Sequence, residues 1–464
     1  MKKILSNFIT GVLFLSITLS LCLFLSFCSS EKVGSESTDT AMKVPPLRER
    51  VQQMEEAWRW KREHVLPMVM REQGIDLWIL RGNEADRYHN NEGPVYCSLL
   101  LADLRGMVYD SQHGRAKPAF LMFNDTGDEI EYIEPRDYEH ITEIVKERDP
   151  KRIAISQFNN KRMLAALGKK YAARSVDSRI VGVRWHETIP SGMLDTYRQV
   201  VKIAHALIAE GFSNRAIVPD VTTIDDLNWW FRHRAIELGF EHENHPSISI
   251  QRSEEDIAKY DDPPEHVTGA RTRNDLFTVI RRGDVLRIDA DMYLFGLETD
   301  SHQYAYILRN GESDVPQELK DAFDLANRIE DQFRLEFKAG RTGKEIVAAS
   351  KKLEFPDNIV GATNDFHPPP KYIMRFVRNG LMLSKESSVV GMTSGPRYAA
   401  TSIVTNDNVL HENTLYAFEP HIDVFIPGWG EQGLELGMGQ ITVFMDGELQ
   451  YLDRGQTDGW LVIR

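Results

Sequence analysis

The sequence feature that most constrains the fold is a predicted β-hairpin carrying two aspartates. The segment Arg287–Arg309 has apolar, aromatic and β-branched residues on both sides of Gly296, the glycine at the predicted turn. A turn centred between positions 294 and 295 places Asp289 directly opposite Asp300 on one face. Like charges there repel, so the pair needs a cation between them or a proton on one of them. Divalent cations prefer carboxylate oxygens, so the pattern favours a metal site; two exposed acids on an edge hairpin are the alternative.

Length and charge limit the classes of protein that fit. The chain has 464 residues, enough for two or three domains, and its 42% hydrophobic residues indicate a folded protein. Its net charge of -14 argues against nucleic acid, or an anionic membrane surface, as a general partner. Two of the three cysteines, Cys22 and Cys28, lie in the first 28 residues, which excludes a disulfide framework in the remainder.

The N-terminus predicts export. In residues 1–28, two lysines precede an uncharged apolar run, the pattern of a secretory signal. The end of the run resembles a bacterial lipoprotein signal, in which Cys28 is the lipidated residue; an uncleaved anchor is the alternative, because the run can span ~30 Å of hydrocarbon. Residues 29–46 are predicted to be a flexible tether. Both interpretations place the folded part outside the cytoplasm, attached to a bacterial membrane at its periplasmic face.

Two folded domains follow the tether. In residues 47–184, apolar strands at 75–80, 120–123 and 153–155 alternate with helices, which predicts an α/β domain with a mixed sheet. Residues 185–464 contain two helices, a strand, the aspartate hairpin, an amphipathic helix at Pro316–Ala339, and a tail of strands. Thr223 with Asp226, and Thr342 with Glu345, predict capping boxes at two helix starts.

This order of elements, with acids on the strands, resembles the pita-bread metallopeptidases: methionine aminopeptidase, aminopeptidase P, prolidase and the related creatinase. The stretches that carry the resemblance are Ile217–Leu227, Gly283–Asp300, Thr414–Ile422 and Ile441–Leu452. The resemblance implies an α+β fold, with a C-terminal pita-bread (creatinase/aminopeptidase) domain after a smaller α/β creatinase-type N-terminal domain. It also implies a peptide or small-molecule substrate, and a homodimer, because members of this branch are often dimers.

The resemblance implies a metal site. In that family two divalent ions share two Asp, one His and two Glu, and they activate the water that attacks the peptide carbonyl. Asp289, Asp300 and Glu419, which precedes Pro420, match three of the five ligands. The cofactor implied is manganese, cobalt or zinc.

Two family ligands do not transfer. The window expected to hold the metal histidine, Arg378–Val390, contains none, and neither His367 nor His411 is at a matching position. The stretch expected to hold the last glutamate, Gly437–Gln440, contains no acid. The histidine that steadies the reaction intermediate is also missing, so no catalytic residue is assigned. Three nearby side chains are weighed as additional ligands, against the alternative of ordinary polar residues: His302, His421 and Glu435.

The sequence therefore predicts an exported, membrane-attached homologue of Xaa-Pro aminopeptidase with an incomplete set of metal ligands and weak or no peptidase activity. The alternative is a non-catalytic pita-bread protein that serves as a binding module or scaffold. Creatinase-like chemistry without metals ranks last, because it depends on a histidine in the region where none is found.

Overall fold

The computed structural model describes most of the chain after residue 43. The described residues are 44–81, 120–155, 160–240, 246–260, 277–294, 297–363, 366–367, 377–378, 381–382, 409–430, 433–455 and 459–464. Residues Val44–Arg464 cluster as one unit by their contacts. The predicted leader, Cys28 and the tether up to Lys43 lie outside the described residues. Within the described ranges, no helix combines the length and apolar character needed to cross a membrane.

The first part of the described chain builds a mixed sheet with helices. Its elements are α1 (Leu47–Trp60), a π-helical turn (Lys61–Val65), α2 (Leu66–Glu72), β1 (Leu77–Arg81), β2 (Phe120–Asp125), β3 (Ile130–Ile133), α3 (Tyr138–Arg148), β4 (Ile153–Ile155), α4 (Asn160–Ala172), β5 (Ser175–Asp177) and α5 (Arg179–Glu187). Among these described strands the order is β3-β2-β1-β4-β5, with β1 antiparallel to β2 and parallel to β4. The mixed sheet predicted for this region is confirmed.

The core of this sheet is formed where its strands meet α3. Leu77 and Ile79 of β1 cluster with Met122 of β2 and Ile141 of α3, and all four are buried. Burying one such side chain contributes ~1.5–3 kcal/mol. Residues 77–80 of β1 are all buried, and Leu77 and Ile79 belong to the face of the sheet that α3 covers.

The second part of the described chain is a set of sheets with long helices. Its elements are α6 (Ser191–Gly211), α7 (Ile224–Leu238), β6 (Ser247–Gln251), α8 (Glu254–Ile257), β7 (Val285–Ala290), β8 (Tyr293–Leu294), β9 (Leu297–Glu298), β10 (Ser301–Ile307), α9 (Gln317–Arg334), α10 (Gly343–Ser350), β11 (Ile359–Thr363), β12 (Phe366–His367), β13 (Val377–Arg378), β14 (Leu381–Met382), β15 (Thr414–Phe418), β16 (His421–Val424), β17 (Leu434–Gly437), β18 (Gln440–Met445), β19 (Glu448–Tyr451) and β20 (Leu461–Ile463). The larger sheets of the described part have the orders β20-β10-β7-β6, β11-β16-β17 and β12-β15-β18-β19. The strand pairs of these sheets are antiparallel except for the parallel pair of β10 and β20.

Local sequence signals explain where the helices begin. Both predicted capping boxes are present: the Thr223 side chain accepts from the Asp226 backbone at the start of α7, and Thr342 accepts from Glu345 at the start of α10. The predicted amphipathic helix is α9, which runs over Gln317–Arg334 and buries its apolar face in the main core of this part. Strands β16 and β17 also contribute to that core, so α9 supports the strands that border the aspartate hairpin.

The register of the hairpin differs from the prediction. The predicted turn placed Asp289 opposite Asp300, whereas in the structure Asp289 pairs with His302. Leu294 pairs with Leu297 at the tip, so the turn is centred one residue later than predicted, between 295 and 296. When the turn moves by one residue, the partner of each strand residue moves by two positions. Each side chain therefore stays on the same face of the sheet but lies opposite a different residue. The predicted facing of the two aspartates is therefore wrong, and an imidazole stands where a carboxylate was expected.

Candidate metal site

Strands β7 and β10 set the centre of the site. Arg287 and Asp289 alternate with buried apolar residues along β7, so their side chains emerge on one face of the sheet. His302 lies across from Asp289 on β10, with Nε2 at 3.3 Å from Oδ1 of the aspartate. The His302 side chain is only 1% exposed.

Three carboxylates surround one imidazole nitrogen. Nε2 of His302 lies 3.1 Å from Oε1 of Glu419 and 3.7 Å from Oδ1 of Asp300, in addition to its contact with Asp289. Asp300 immediately precedes β10, and Glu419 immediately follows β15. The three acids matched by the resemblance therefore converge on a histidine that the sequence offered only as one of three additional candidates.

The other ring nitrogen of His302 is held by the backbone. Nδ1 lies 3.0 Å from the carbonyl oxygen of Gly437, at the end of β17. The same carbonyl accepts a hydrogen bond from the Tyr304 hydroxyl at 3.3 Å, and the Gly437 amide donates to that hydroxyl at 2.6 Å. A proton on Nδ1, donated to this carbonyl, leaves Nε2 as the nitrogen that faces the acids.

Glycines make room for the histidine ring. A Cβ atom at Gly439 would overlap the His302 ring, and the Gly439 carbonyl accepts the His302 backbone N–H at 3.1 Å. The resemblance led us to expect a glutamate in the stretch Gly437–Gln440. The stretch that lacks this acid is thus the one that admits the imidazole.

Burial and charge together shift the proton affinities of the site. Burial raises the pKa of Asp300 well above its usual range, and the carboxylate of Glu419 raises it further. Burial and the neighbouring Arg287 charge act to lower the pKa of His302, yet the Asp289 and Glu419 carboxylates raise it to about 9. Burial likewise opposes ionisation of Asp289, but the charge of His302 lowers the pKa of that carboxyl below its ordinary value. Without an ion, the site therefore holds its own protons near neutral pH.

An arginine that the sequence reasoning missed completes the cluster. Nη2 of Arg287 lies 3.6 Å from Oδ2 of Asp289, and 3.0 Å and 3.2 Å from the two ring nitrogens of His302. The period of two along a strand carried the signal, because Arg287 is two residues before Asp289 and shares its face.

The remaining predicted candidates lie at the edge of this cluster or away from it. His421 of β16 and Glu435 of β17 are diagonal neighbours on adjacent strands, with Nδ1 of the histidine 3.8 Å from Oε1 of the glutamate. Neither side chain belongs to the group of donor atoms formed by Asp289, Asp300 and His302. His367 lies on β12, paired with Ala417. Most of the histidine-free window Arg378–Val390 lies outside the described residues.

The donor set fits one divalent ion. Ligand atoms of Asp289, Asp300 and His302 lie within 4.8 Å of one another, the one such group among the described residues. Oε1 of Glu419, which lies 3.1 Å from the same imidazole nitrogen, is a fourth donor within reach. One imidazole nitrogen with carboxylate oxygens suits manganese, cobalt or zinc. The carbonyl on the other ring nitrogen is the support that metal-binding histidines ordinarily have.

Comparison with known proteins identifies the fold. No protein-family model and no curated protein sequence matches this chain. A provisionally named aminopeptidase P from Bacillus anthracis matches at a TM-score of 0.53 and 9% identity, over 87% of this chain and 95% of that one. An X-Pro aminopeptidase from Thermotoga maritima matches at a TM-score of 0.46 and 14% identity, over 83% and 97%. An Xaa-Pro dipeptidase from Bacillus anthracis matches at a TM-score of 0.45 and 14% identity, over 90% and 99%.

The first of these matches carries the conclusion. The chain has an α+β fold in which an N-terminal domain precedes a C-terminal pita-bread domain. More particularly, this is the fold of the aminopeptidase P type, as the resemblance of its acid-bearing stretches predicted.

Proposed function

We propose that this chain is an Xaa-Pro aminopeptidase-like metallopeptidase homologue that binds a divalent ion but cleaves prolyl peptides weakly or not at all. The observation that carries the proposal is the convergence of Asp289, Asp300 and Glu419 on Nε2 of His302. The expected weakness follows from the two family ligands that the sequence does not supply. A site that activates water ordinarily keeps at least three protein ligands for each ion, and this donor set serves one ion at that level.

The residues have separate roles in this proposal. Asp289, Asp300, Glu419 and His302 would hold the ion, which when bound lowers the pKa of a coordinated water and polarises a peptide carbonyl. The Gly437 carbonyl fixes the tautomer of His302 by accepting from Nδ1. Burial of Asp300 and His302 keeps bulk water away from two of the donors, which strengthens their interaction with a cation.

The proposal includes export. The leader of residues 1–28, with Cys28 at its end, supports attachment to a bacterial membrane, with the folded part on the periplasmic face or outside it. Replacing Cys28 with serine tests this. The lipoprotein interpretation expects the variant to leave the membrane fraction or to keep its leader, whereas an uncleaved anchor expects no change.

A non-catalytic binding or scaffold protein is the second candidate. The observation that favours it is the Arg287 guanidinium, which already supplies a positive charge beside Asp289. In this case the polar side chains around His302 would bind peptide without cleaving it.

Metal analysis separates the two candidates. Full-length protein in detergent is dialysed against a chelator, then titrated with Mn²⁺, Co²⁺ or Zn²⁺ and assayed on an Xaa-Pro dipeptide. The proposal expects a bound ion that Asp289→Asn removes, with hydrolysis close to the protein-free rate. Absence of ion binding would favour the scaffold, and rapid metal-dependent cleavage would overturn the prediction of weak activity.

A further inference from the structure

The guanidinium of Arg287 lies beside two of the donor groups of the site. Paired ions in two-metal sites lie about 3.5–4 Å apart and are held by bridging carboxylates. Nη2 of Arg287 is 3.2 Å from Nε2 of His302 and 3.6 Å from Oδ2 of Asp289. The guanidinium thus places a fixed positive charge within hydrogen-bond or ion-pair distance of two of the donor groups, and its side chain is only 12% exposed.

The formal charges of the site also favour a single divalent ion. The three carboxylates of Asp289, Asp300 and Glu419 together carry three negative charges, and Arg287 carries one positive charge at any ordinary pH. One divalent ion with a neutral His302 brings the cluster to zero. A second divalent ion would leave an excess of two positive charges around the buried Asp300 and His302, and such an excess is costly where water is largely excluded.

We propose that Arg287 takes the place of the second metal ion, so that the site binds a single divalent cation. This inference rests on the proposed function, because it concerns the same site. The inference goes beyond the proposed function because it sets the number of ions and assigns a positioning and charge-balancing role to a residue outside the ligand set.

The end of β17 leaves room for the Arg287 side chain. A Cβ atom at Gly437 would lie 3.2 Å from Nε of Arg287 and 3.0 Å from two atoms of the His421 ring, which is tighter than side chains ordinarily pack. A side chain at Gly437 would crowd the guanidinium, and one at Gly439 would overlap the His302 ring. Two glycines in one short stretch thus admit the two cationic side chains of the site.

Titration with Mn²⁺ alone tests the inference. Chelator-treated full-length protein in detergent is titrated by calorimetry, and the loaded sample is examined by electron paramagnetic resonance. The wild type is expected to bind one ion and to show no signal from an exchange-coupled pair. Arg287→Met is expected to bind its first ion at least about tenfold more tightly, because a positive charge close to the ion is lost. Arg287→Lys keeps the charge, so its affinity should stay within about threefold of the wild type.

Arg234→Met is the matched control. Arg234 is an arginine of similar kind on α7, paired with Glu210 and Glu237, and its loss should leave the ion count and affinity unchanged. Two ions in the wild type, or an Arg287→Met affinity within about twofold of the wild type, would overturn the inference while leaving the proposed metal site in place. Absence of any ion would instead overturn the proposed function. The wild-type count decides the matter if Arg287→Met does not fold.

Discussion

Asp289 and His302 face each other across β7 and β10, with Nε2 of the histidine 3.3 Å from Oδ1 of the aspartate. The pairing joins an acid whose pKa is lowered to an imidazole whose pKa is raised to about 9. Each group therefore keeps the other charged, and an incoming cation must replace the proton of the histidine.

The affinity of the site for a divalent ion should depend on pH. His302 binds a metal only after it loses the proton on Nε2, and its pKa of about 9 means that this proton is present at neutral pH. We expect the apparent affinity for Mn²⁺ to fall by at least about tenfold for each pH unit between 8 and 6. Calorimetry in buffers of different ionisation enthalpy should show about one or more protons released per ion. An affinity that is flat over this interval would contradict the assignment of His302 as a ligand.

Without an ion, stability should show the opposite dependence. The pKa of His302 is raised from 6.5 to about 9 in the folded state, so its contribution is fully present below pH 6.5 and is lost as pH rises through 9. At about 1.4 kcal/mol per pKa unit, this amounts to roughly 3 kcal/mol. Chemical denaturation of chelator-treated protein at pH 6.5 and pH 9 measures the loss. His302→Gln, which cannot titrate, should lack that part of the dependence, and equal slopes for both proteins would refute it.

Room for the His302 ring should be essential to the site. An alanine at Gly439 would overlap the ring, so Gly439→Ala should displace His302 and weaken Mn²⁺ binding by about tenfold or more. Gly192→Ala is the control, because a Cβ atom at Gly192 in α6 meets nothing within 4 Å. Affinity is measured by calorimetry and folding by circular dichroism. Full Mn²⁺ affinity in Gly439→Ala would show that the ring position is not required.

Much of the fold was predictable because local signals agree with tertiary packing. The capping threonines Thr223 and Thr342 and the apolar stripe of α9 act over a few residues, so one sequence suffices to find them. The register of the hairpin could not be predicted from local signals in this way. A shift of the turn by one residue retains the apolar face of β10 and changes only which residue pairs with Asp289.

The site itself depends on contacts between distant parts of the chain. His302 bonds to Gly437, a residue 135 positions away, and no local pattern reveals that contact. The absence of an acid in Gly437–Gln440 was visible, but only the structure shows that the space is filled by an imidazole and a guanidinium. Arg287 could have been noticed, since it shares a strand face with Asp289.

A buried acid beneath the strands gives a further test. Glu330 of α9 is fully buried, and the Gln440 side-chain amide donates to its two carboxyl oxygens at 3.2 Å and 3.3 Å. Burial raises the pKa of Glu330 from 4.5 to about 8. The folded state therefore holds a proton that the unfolded chain loses above pH 4.5, so stability falls as pH rises from 4.5 to 8.

Replacing Glu330 with glutamine should remove this penalty. Glu330→Gln keeps the shape of the protonated acid but cannot ionise, so we expect a gain of roughly 3–5 kcal/mol in the free energy of unfolding at pH 8 and little change at pH 4.5. Urea denaturation followed by tryptophan fluorescence at both pH values measures the difference. Glu318→Gln, at an exposed position in the first turn of α9, is the control and should change stability little at either pH. A loss of stability in Glu330→Gln at pH 8 would contradict this prediction. It would mean that the folded protein holds Glu330 as a charged, paired carboxylate, an interaction that the neutral glutamine amide cannot replace.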